Sequence, residues 1–454
     1  MTQVDLLARY DQRVPRYTSY PTAPHFSPAV DAATYAGWLA AVPEQASVSL
    51  YPHVPFCEQL CLFCGCHTTV ARHNAPRESY AALLETEIGL VAAALGRRQR
   101  VAQIHWGGGT PTALPADSLR AVFAALRAHF DLAPEAEIAV EIDPRNLPPD
   151  RVQALADMGI TRASLGVQDF DPAVQHAVQR LQSFAMTRDA AEALRRVGVR
   201  SLNLDLLYGL PHQTAASVAA TMHQALELAP DRVAVFGYAH VPWMKPHQRL
   251  LSEADLPDGP ARFAQRQAAE AVLVEAGFRR IGLDHYARAG DALAEAEAAG
   301  RVRRNFQGYT VDDAELLIGL GASAIGALAQ GYVQNAARTP VYAEALRAGA
   351  LPVARGVALS AEDRLRRSVI EALMCELAAD LPALARAHGA EPSGLLSAAP
   401  LLADLAEDGL IRWDGRRVEL TETGRPFVRN VAAVFDTYLA AGPEAGVRRH
   451  ARSI

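Results

Sequence analysis

The chain has 454 residues, half of them hydrophobic and 21% charged, which supports a sizeable buried core and excludes disorder, a collagen repeat and a disulfide scaffold. Lys plus Arg is 44 and Asp plus Glu is 50, and a net charge of −6 argues against non-specific nucleic-acid binding. At about 150 residues per domain, the length suggests roughly three structural units.

Met1 to Tyr20 carries Asp5, Arg9, Asp11 and Arg13 and lacks an apolar run of signal-peptide type, which points to a cytoplasmic protein. Lys245 is the single lysine, a bias we attribute to a GC-rich genome. Val48 to Val54 reads as a strand, and four of the five cysteines, Cys57, Cys61, Cys64 and Cys66, follow it within ten residues. In a cytosolic chain such clustering argues for metal or redox chemistry. Structural zinc usually takes paired C-x2-C knuckles, and no second knuckle exists here. Compact thiolate loops of this kind hold iron–sulfur clusters. Cysteines at x3 and x2 spacing could each hold one iron of a [4Fe-4S] cube and leave the fourth open. A zinc-stabilised regulator is the competing reading.

A helix follows, with Leu84, Ile88, Val91 and Leu95 on one face. Strand-like runs then recur at Val101–Trp106, Glu137–Ile142, Arg162–Val167, Ser201–Leu207 and Arg232–Tyr238. Amphipathic stretches at Ala116–Phe130, Asp189–Val197 and Ala215–Leu228 alternate with them. The alternation predicts a parallel sheet with right-handed crossovers. Six such units form an α/β fold, a partial (β/α)6 barrel, whose chemistry belongs at the C-terminal strand ends. Polar or glycine residues fall there after every strand: the cysteines, Gly107 to Thr110, Glu141 and Asp143, Gln168 and Asp169, Asp205, and Tyr238 to His240. Gly107, Gly108 and Gly109 lack the spacing of a nucleotide-phosphate loop, so we expect them to let backbone approach a small ligand.

Leu316 to Ala337 carries no charge but holds several glycines and amides, so it reads as a closely packed buried segment rather than a membrane span. Ser360 to Asp363 looks like a helix N-cap, with the helix running through Leu377 and Cys375 in its core. Asp414 and Gly415 mark a hairpin, and a final helix is predicted from about Gly424 to Leu439. Helices followed by a hairpin suggest a mostly helical, winged-helix-like C-terminal domain serving as a lid or packing unit. The predicted units are 1–38 near the site mouth, 39–355 as the barrel and its extension, and 356–454.

Several motifs appear in order: PRYTSYPT at 15–22, YPHVPFC at 51–57, CLFCGC at 61–66 and HWGGGTPT at 105–112. EIDPR at 141–145, GVQDF at 166–170, DLLYGLP at 205–211 and NFQGYT at 305–310 complete the series. With these residues the sequence resembles the radical S-adenosylmethionine (radical SAM) enzymes, and among them the oxygen-independent coproporphyrinogen III oxidases. Related haem chaperones share the barrel but lack the C-G-C ending and the PRYTSY run, and they form the alternative.

The resemblance implies that Cys57, Cys61 and Cys64 hold a [4Fe-4S] cluster whose fourth iron is chelated by one S-adenosylmethionine. Tyr51, Gly108, Glu141, Ala239 and Ile325 match positions lining that molecule. Phe63, Gly109, Thr110, Gln168, Arg180 and Asp205 match contacts of a second S-adenosylmethionine. Cys66 is implied to be no ligand, yet members share it, and we place it at the reaction without a defined role. Gln179 and His67 stand where Asn is common. The implied reaction uses a 5′-deoxyadenosyl radical to convert two propionates of coproporphyrinogen III to vinyls, giving protoporphyrinogen IX. It also implies a reduced donor such as flavodoxin or ferredoxin, and a monomer with no nucleic acid and no membrane span. Arginines should anchor the substrate carboxylates, and Arg16, Arg145 and Arg304 are candidates.

Overall fold

The computed structural model describes residues 3–314, 316–440 and 451–452; the outermost residues of the first and last predicted units lie outside the described residues. Six strands form the centre: β1 Ser47–Val54, β2 Arg100–Gly108, β3 Asp131–Ile142, β4 Arg162–Gln168, β5 Ser201–Tyr208 and β6 Arg232–Gly237. They pair in parallel in that order. Val48, Leu50, Val101, Ile104, Leu165 and Leu204 are fully buried, as expected for strands covered on both faces. The crossovers are the helices α1 Asn74–Leu95, α2 Ala116–His129, α3 Pro149–Asp157, α4 Phe184–Arg196 and α5 Ala215–Glu227. Thr214 and Ser217 start α5 with a reciprocal capping box. Helix α6, Gly259–Glu275, packs beside α5.

The sheet extends beyond the six predicted strands. At one edge, β7 Phe278–Ile281 and β8 His285–Arg288 form an antiparallel pair, with β8 beside β6. At the other edge β9 Leu316–Leu320 joins β1 in parallel, followed by antiparallel β10 Ile325–Leu328, β11 Gly331–Asn335 and β12 Val353–Ala358. The uncharged stretch is thus three strands of a meander. Its glycines permit close contact: a Cβ at Gly319 would stand 2.7 Å from the Ile325 backbone. Among the described residues the whole sheet has twelve strands.

A second core lies beyond the barrel. Helix α7, Ala361–Glu376, begins at Ser360 with a capping box to Asp363 and ends where Leu377 turns left-handed. A strand Ala378–Asp380, short helices at Leu381–Ala387 and Ala399–Glu407, and the hairpin Ile411–Trp413 with Arg417–Leu420 follow. This is the helix–strand–helix–hairpin order of a winged helix. The predicted final helix is broken into Val428–Ala433 and Thr437–Ala440, because the Asp436 carboxylate accepts from the Tyr438 and Leu439 amides and restarts the chain. The N-terminal helix Gln3–Tyr10 inserts Leu6, Leu7 and Tyr10 into this same core, against Phe427 and its neighbours. Tyr17 donates to Asp436 at 3.0 Å in the second core and Arg16 donates to Gly237 O at 2.7 Å on the barrel, so the PRYTSYPT run straps the two cores together.

Candidate active site

The cysteine loop leaves β1 at its C-terminal end and is held mainly through its backbone. Leu62 N donates to Val178 O at 3.0 Å, and Thr110 N to Phe56 O at 2.7 Å. The loop after β6 supplies three more ties. Lys245 Nζ donates to Cys66 O at 2.8 Å, His247 Nε2 meets Cys64 O at 2.8 Å, and Gln248 Nε2 donates to Phe63 O at 2.8 Å. Gln248 also reaches Ala239 O, joining a residue matched to the first cofactor to one matched to the second. Sequence reasoning missed this clamp. The lone lysine was its one visible signal.

The thiols lie in a cationic, hydroxyl-rich setting. Cys57 Sγ accepts from Thr68 Oγ1 at 3.2 Å and lies 3.5 Å from Thr110 Oγ1. Arg145 and Arg180 approach Cys61 Sγ at 3.3 and 3.5 Å. Both guanidiniums also pair with Asp143, at 2.6 and 3.4 Å. Burial pushes the Asp143 carboxyl up, but the two arginines together outweigh it and hold it below the usual range. Arg145 is therefore committed to Asp143 and Cys61, which corrects its reading as a substrate anchor. Hydrogen bonding from Cys66, with help from Lys245 and His247, pulls the Cys64 thiol below its usual range and favours the thiolate that binds metal. This donor chemistry fits a thiolate-held cluster. Among the described residues no group of three or more His, Cys, Asp or Glu side chains is gathered around a single point. Thiolates of a cube bond separate irons and need no common point.

Beside the loop, β2 and β3 present Gly108 and Glu141. Glu141 accepts from the Gly108 amide at 3.2 Å and meets His105 Nε2 at 3.1 Å. Tyr51 of β1 pairs with Gly319 of β9, which packs on Ile325, so Tyr51, Gly108, Glu141 and Ile325 come together. The triple glycine is used for packing protein on protein. A Cβ at Gly107 would stand 2.8 Å from both Tyr51 and Glu141, and one at Gly109 2.7 Å from Phe56 O. Gly108 has φ +122°, which favours glycine.

The remaining matched residues occupy the next strand ends. Gln168 closes β4 at φ +70°, and Arg180 donates to Gly166 O at 2.5 Å. The buried Arg180 Nε has no hydrogen-bond partner among the described residues, leaving a donor for a ligand. Asp205 of β5 accepts from Ser164 and Asn203, each at 2.8 Å, and burial raises its carboxyl. Phe63 packs by Leu62 and Tyr238, and Cys66 is exposed beside Cys64. All the matched residues thus lie on the loops and C-terminal strand ends or the adjoining meander. Among the described residues no helix is long and apolar enough to cross a membrane.

Comparison with known proteins agrees with this geometry. Residues 51–225 match the radical SAM superfamily, and residues 359–427 match the HemN C-terminal domain. An oxygen-independent coproporphyrinogen III oxidase of Bradyrhizobium diazoefficiens is 50% identical over 100% of both chains. One from Paracoccus denitrificans is 45% identical over 98% of this chain and 99% of its own. The solved structure of coproporphyrinogen III oxidase from Escherichia coli, described as a radical SAM enzyme, is 37% identical. It superposes with a TM-score of 0.89, covering 94% of this chain and 100% of its own.

Proposed function

The chain belongs to the oxygen-independent coproporphyrinogen III oxidases of the radical SAM superfamily, and from that membership we infer the reaction it carries out. It is an oxidoreductase of haem biosynthesis that converts two propionate side chains of coproporphyrinogen III to vinyls with loss of carbon dioxide, giving protoporphyrinogen IX. Its cofactors are a [4Fe-4S] cluster and S-adenosylmethionine. Bound together, they supply hydrogen-atom abstraction from a methylene too weakly acidic for any side-chain base at neutral pH.

We assign Cys57, Cys61 and Cys64 to the cluster, with Arg145 and Arg180 offsetting the negative charge of the Cys61 thiolate. Tyr51, Gly108, Glu141, Ala239 and Ile325 are assigned to the first S-adenosylmethionine. Glu141, held by His105 and the Gly108 amide, is a fixed acceptor for a cationic or hydroxyl group. Phe63, Gly109, Thr110, Gln168, Arg180 and Asp205 are assigned to a second molecule of the same cofactor, with Asp205 oriented by Ser164 and Asn203. Cys66 borders the reacting space without a defined step. The three-unit division at 38 and 355, a cytoplasmic monomer, and a reduced flavodoxin or ferredoxin as donor complete the proposal.

The observation that carries these assignments is the convergence of Glu141, Gly108 and the clamped cysteine loop at one end of one sheet. The test is an anaerobic assay with coproporphyrinogen III, S-adenosylmethionine and a reductant. Divinyl product and carbon dioxide are expected, and both should vanish when Cys57, Cys61 or Cys64 becomes Ser. Haem binding without conversion would overturn the reading.

A further inference from the structure

Where β6 ends, the sheet meets the N-terminal strap and the last helices, and arginines collect around a cavity of about 40 Å³. Arg16, Arg262, Arg266, Arg429 and Arg452 line it, Arg266 facing Glu270 at 3.5 Å, and Asp284 is the one carboxylate among its lining residues. Arg304 stands behind, donating to Arg16 O at 3.4 Å. Asp284 is already engaged by His285 Nδ1 at 2.8 Å, with Arg304 at 3.9 Å. Arg452 is taken by Asp11 at 2.8 Å. Arg16 and Arg429 instead donate to main-chain carbonyls, of Gly237 at 2.7 Å and Arg452 at 2.5 Å. The Nε of Arg429, a residue 4% exposed, has no hydrogen-bond partner among the described residues.

Positive charge in excess is costly to bury unless an anion neutralises it. Burial, and then the neighbouring Arg16, pulls Arg429 down to about 9, as expected where cations outnumber anions. The cavity is too small for a macrocycle. Within such a volume one water needs about 10–15 Å³, so the space takes a few waters or one small anionic head group. Ala239, assigned above to the first S-adenosylmethionine, is part of the same wall.

We propose that this arginine cavity is a carboxylate seat for one non-reacting propionate of the tetrapyrrole, with Arg16 and Arg429 as its principal donors. The proposal rests on the oxidase reading given above. A reacting propionate does not suit the seat: paired guanidiniums would stabilise the carboxylate in the ground state and oppose its departure as carbon dioxide. A non-reacting one, fixed there, would set which methylene faces the cofactor beyond Ala239.

The test is anaerobic titration calorimetry of coproporphyrinogen III and of its analogue with both non-reacting propionates as methyl esters. Arg16→Gln and Arg429→Gln are each expected to weaken binding of the free acid about 10- to 100-fold, with Arg429→Lys recovering part of the loss. The diester should bind wild type about that weakly and lose nothing further in the variants. S-adenosylmethionine affinity should stay unchanged. Unaltered affinity for the free acid, or an equal loss for acid and diester, would overturn the seat. Arg16 is exposed, so Arg16→Gln decides the matter if the Arg429 variant does not fold. Turnover without the acid-specific loss removes the seat and leaves the oxidase reading intact. The acid-specific loss without turnover removes that reading and keeps the seat.

Discussion

Lys245 Nζ lies 2.8 Å from the carbonyl oxygen of Cys66, tying the loop after the sixth strand to the end of the cysteine motif. The neighbouring Gln248 is fully buried and serves two carbonyls, of Phe63 and Ala239. Gln248→Ala strands those acceptors and is expected to cost about 1–3 kcal/mol for each buried group left unpaired. Lys245→Met, on a half-buried side chain, should cost about 1 kcal/mol or less and speed loss of iron several-fold. Urea unfolding and iron content after chelator challenge measure the two effects.

Gly107 and Gly109 should respond differently to alanine. At Gly107 the new methyl meets only side chains, those of Tyr51 and Glu141; at Gly109 it meets Thr68 Oγ1 and the Phe56 backbone. Gly109→Ala is expected to lose about 1–3 kcal/mol of stability. Gly107→Ala should keep most of its stability while S-adenosylmethionine affinity falls at least tenfold. Thermal unfolding paired with cofactor titration separates the outcomes.

Asp143 holds two buried guanidiniums against the cluster loop. Asp143→Asn removes the shared partner and leaves Arg145 and Arg180 uncompensated, a change of about 3–5 kcal/mol in buried pairs. Lower stability together with lower iron loading is expected. Full loading at wild-type stability would show that the arginines need no carboxylate there.

Glu87 of α1 is buried and accepts from Tyr342 Oη and Asn335 Nδ2, each at 2.6 Å, and from Gly321 N at 2.5 Å. Burial outweighs these donors and raises its carboxyl from 4.5 to about 7. Between those values the folded state keeps a proton that the unfolded state releases, so this group's contribution falls as pH rises through the window. His53 runs oppositely: burial depresses it from 6.5 to about 4, so its contribution grows as pH rises. The difference between wild type and Glu87→Gln isolates the carboxyl. That difference is expected to move by about 2–3 kcal/mol against wild type from pH 5 to pH 8. Denaturant midpoints across this range provide the measurement.

The six central strands were legible because each is a short apolar run bounded by a turn or an amphipathic helix. Their ends named the site: Glu141 and Asp205 stood out as polar groups inside apolar strands, and both are held by hydrogen bonds at the rim. The edge strands Phe278–Ile281 and His285–Arg288 are too short and too charged to carry a period. The Lys245 to Gln248 ties go to main-chain oxygens, which have no sequence signature. Gln179 shows the converse: it has φ +53°, a conformation Asn adopts more readily than Gln, and nothing in the apolar pattern marks it. Arg145 was misread because its partner, Asp143, is only two residues away and captures the guanidinium that its position at the mouth seemed to offer to substrate.

The interleaving of the Gln3–Tyr10 helix with the last helices sets an order of events during synthesis. Leu6, Leu7 and Tyr10 cannot be buried until Phe427 to Phe435 have been made, whereas the cysteine loop and its six strands are complete by Gly237. At ribosomal speeds of about 5–20 residues per second, roughly 10–40 s separate the two. Through that interval the six-stranded sheet and its cysteine loop already exist as chain, while the N-terminal helix still waits for the segment it packs against.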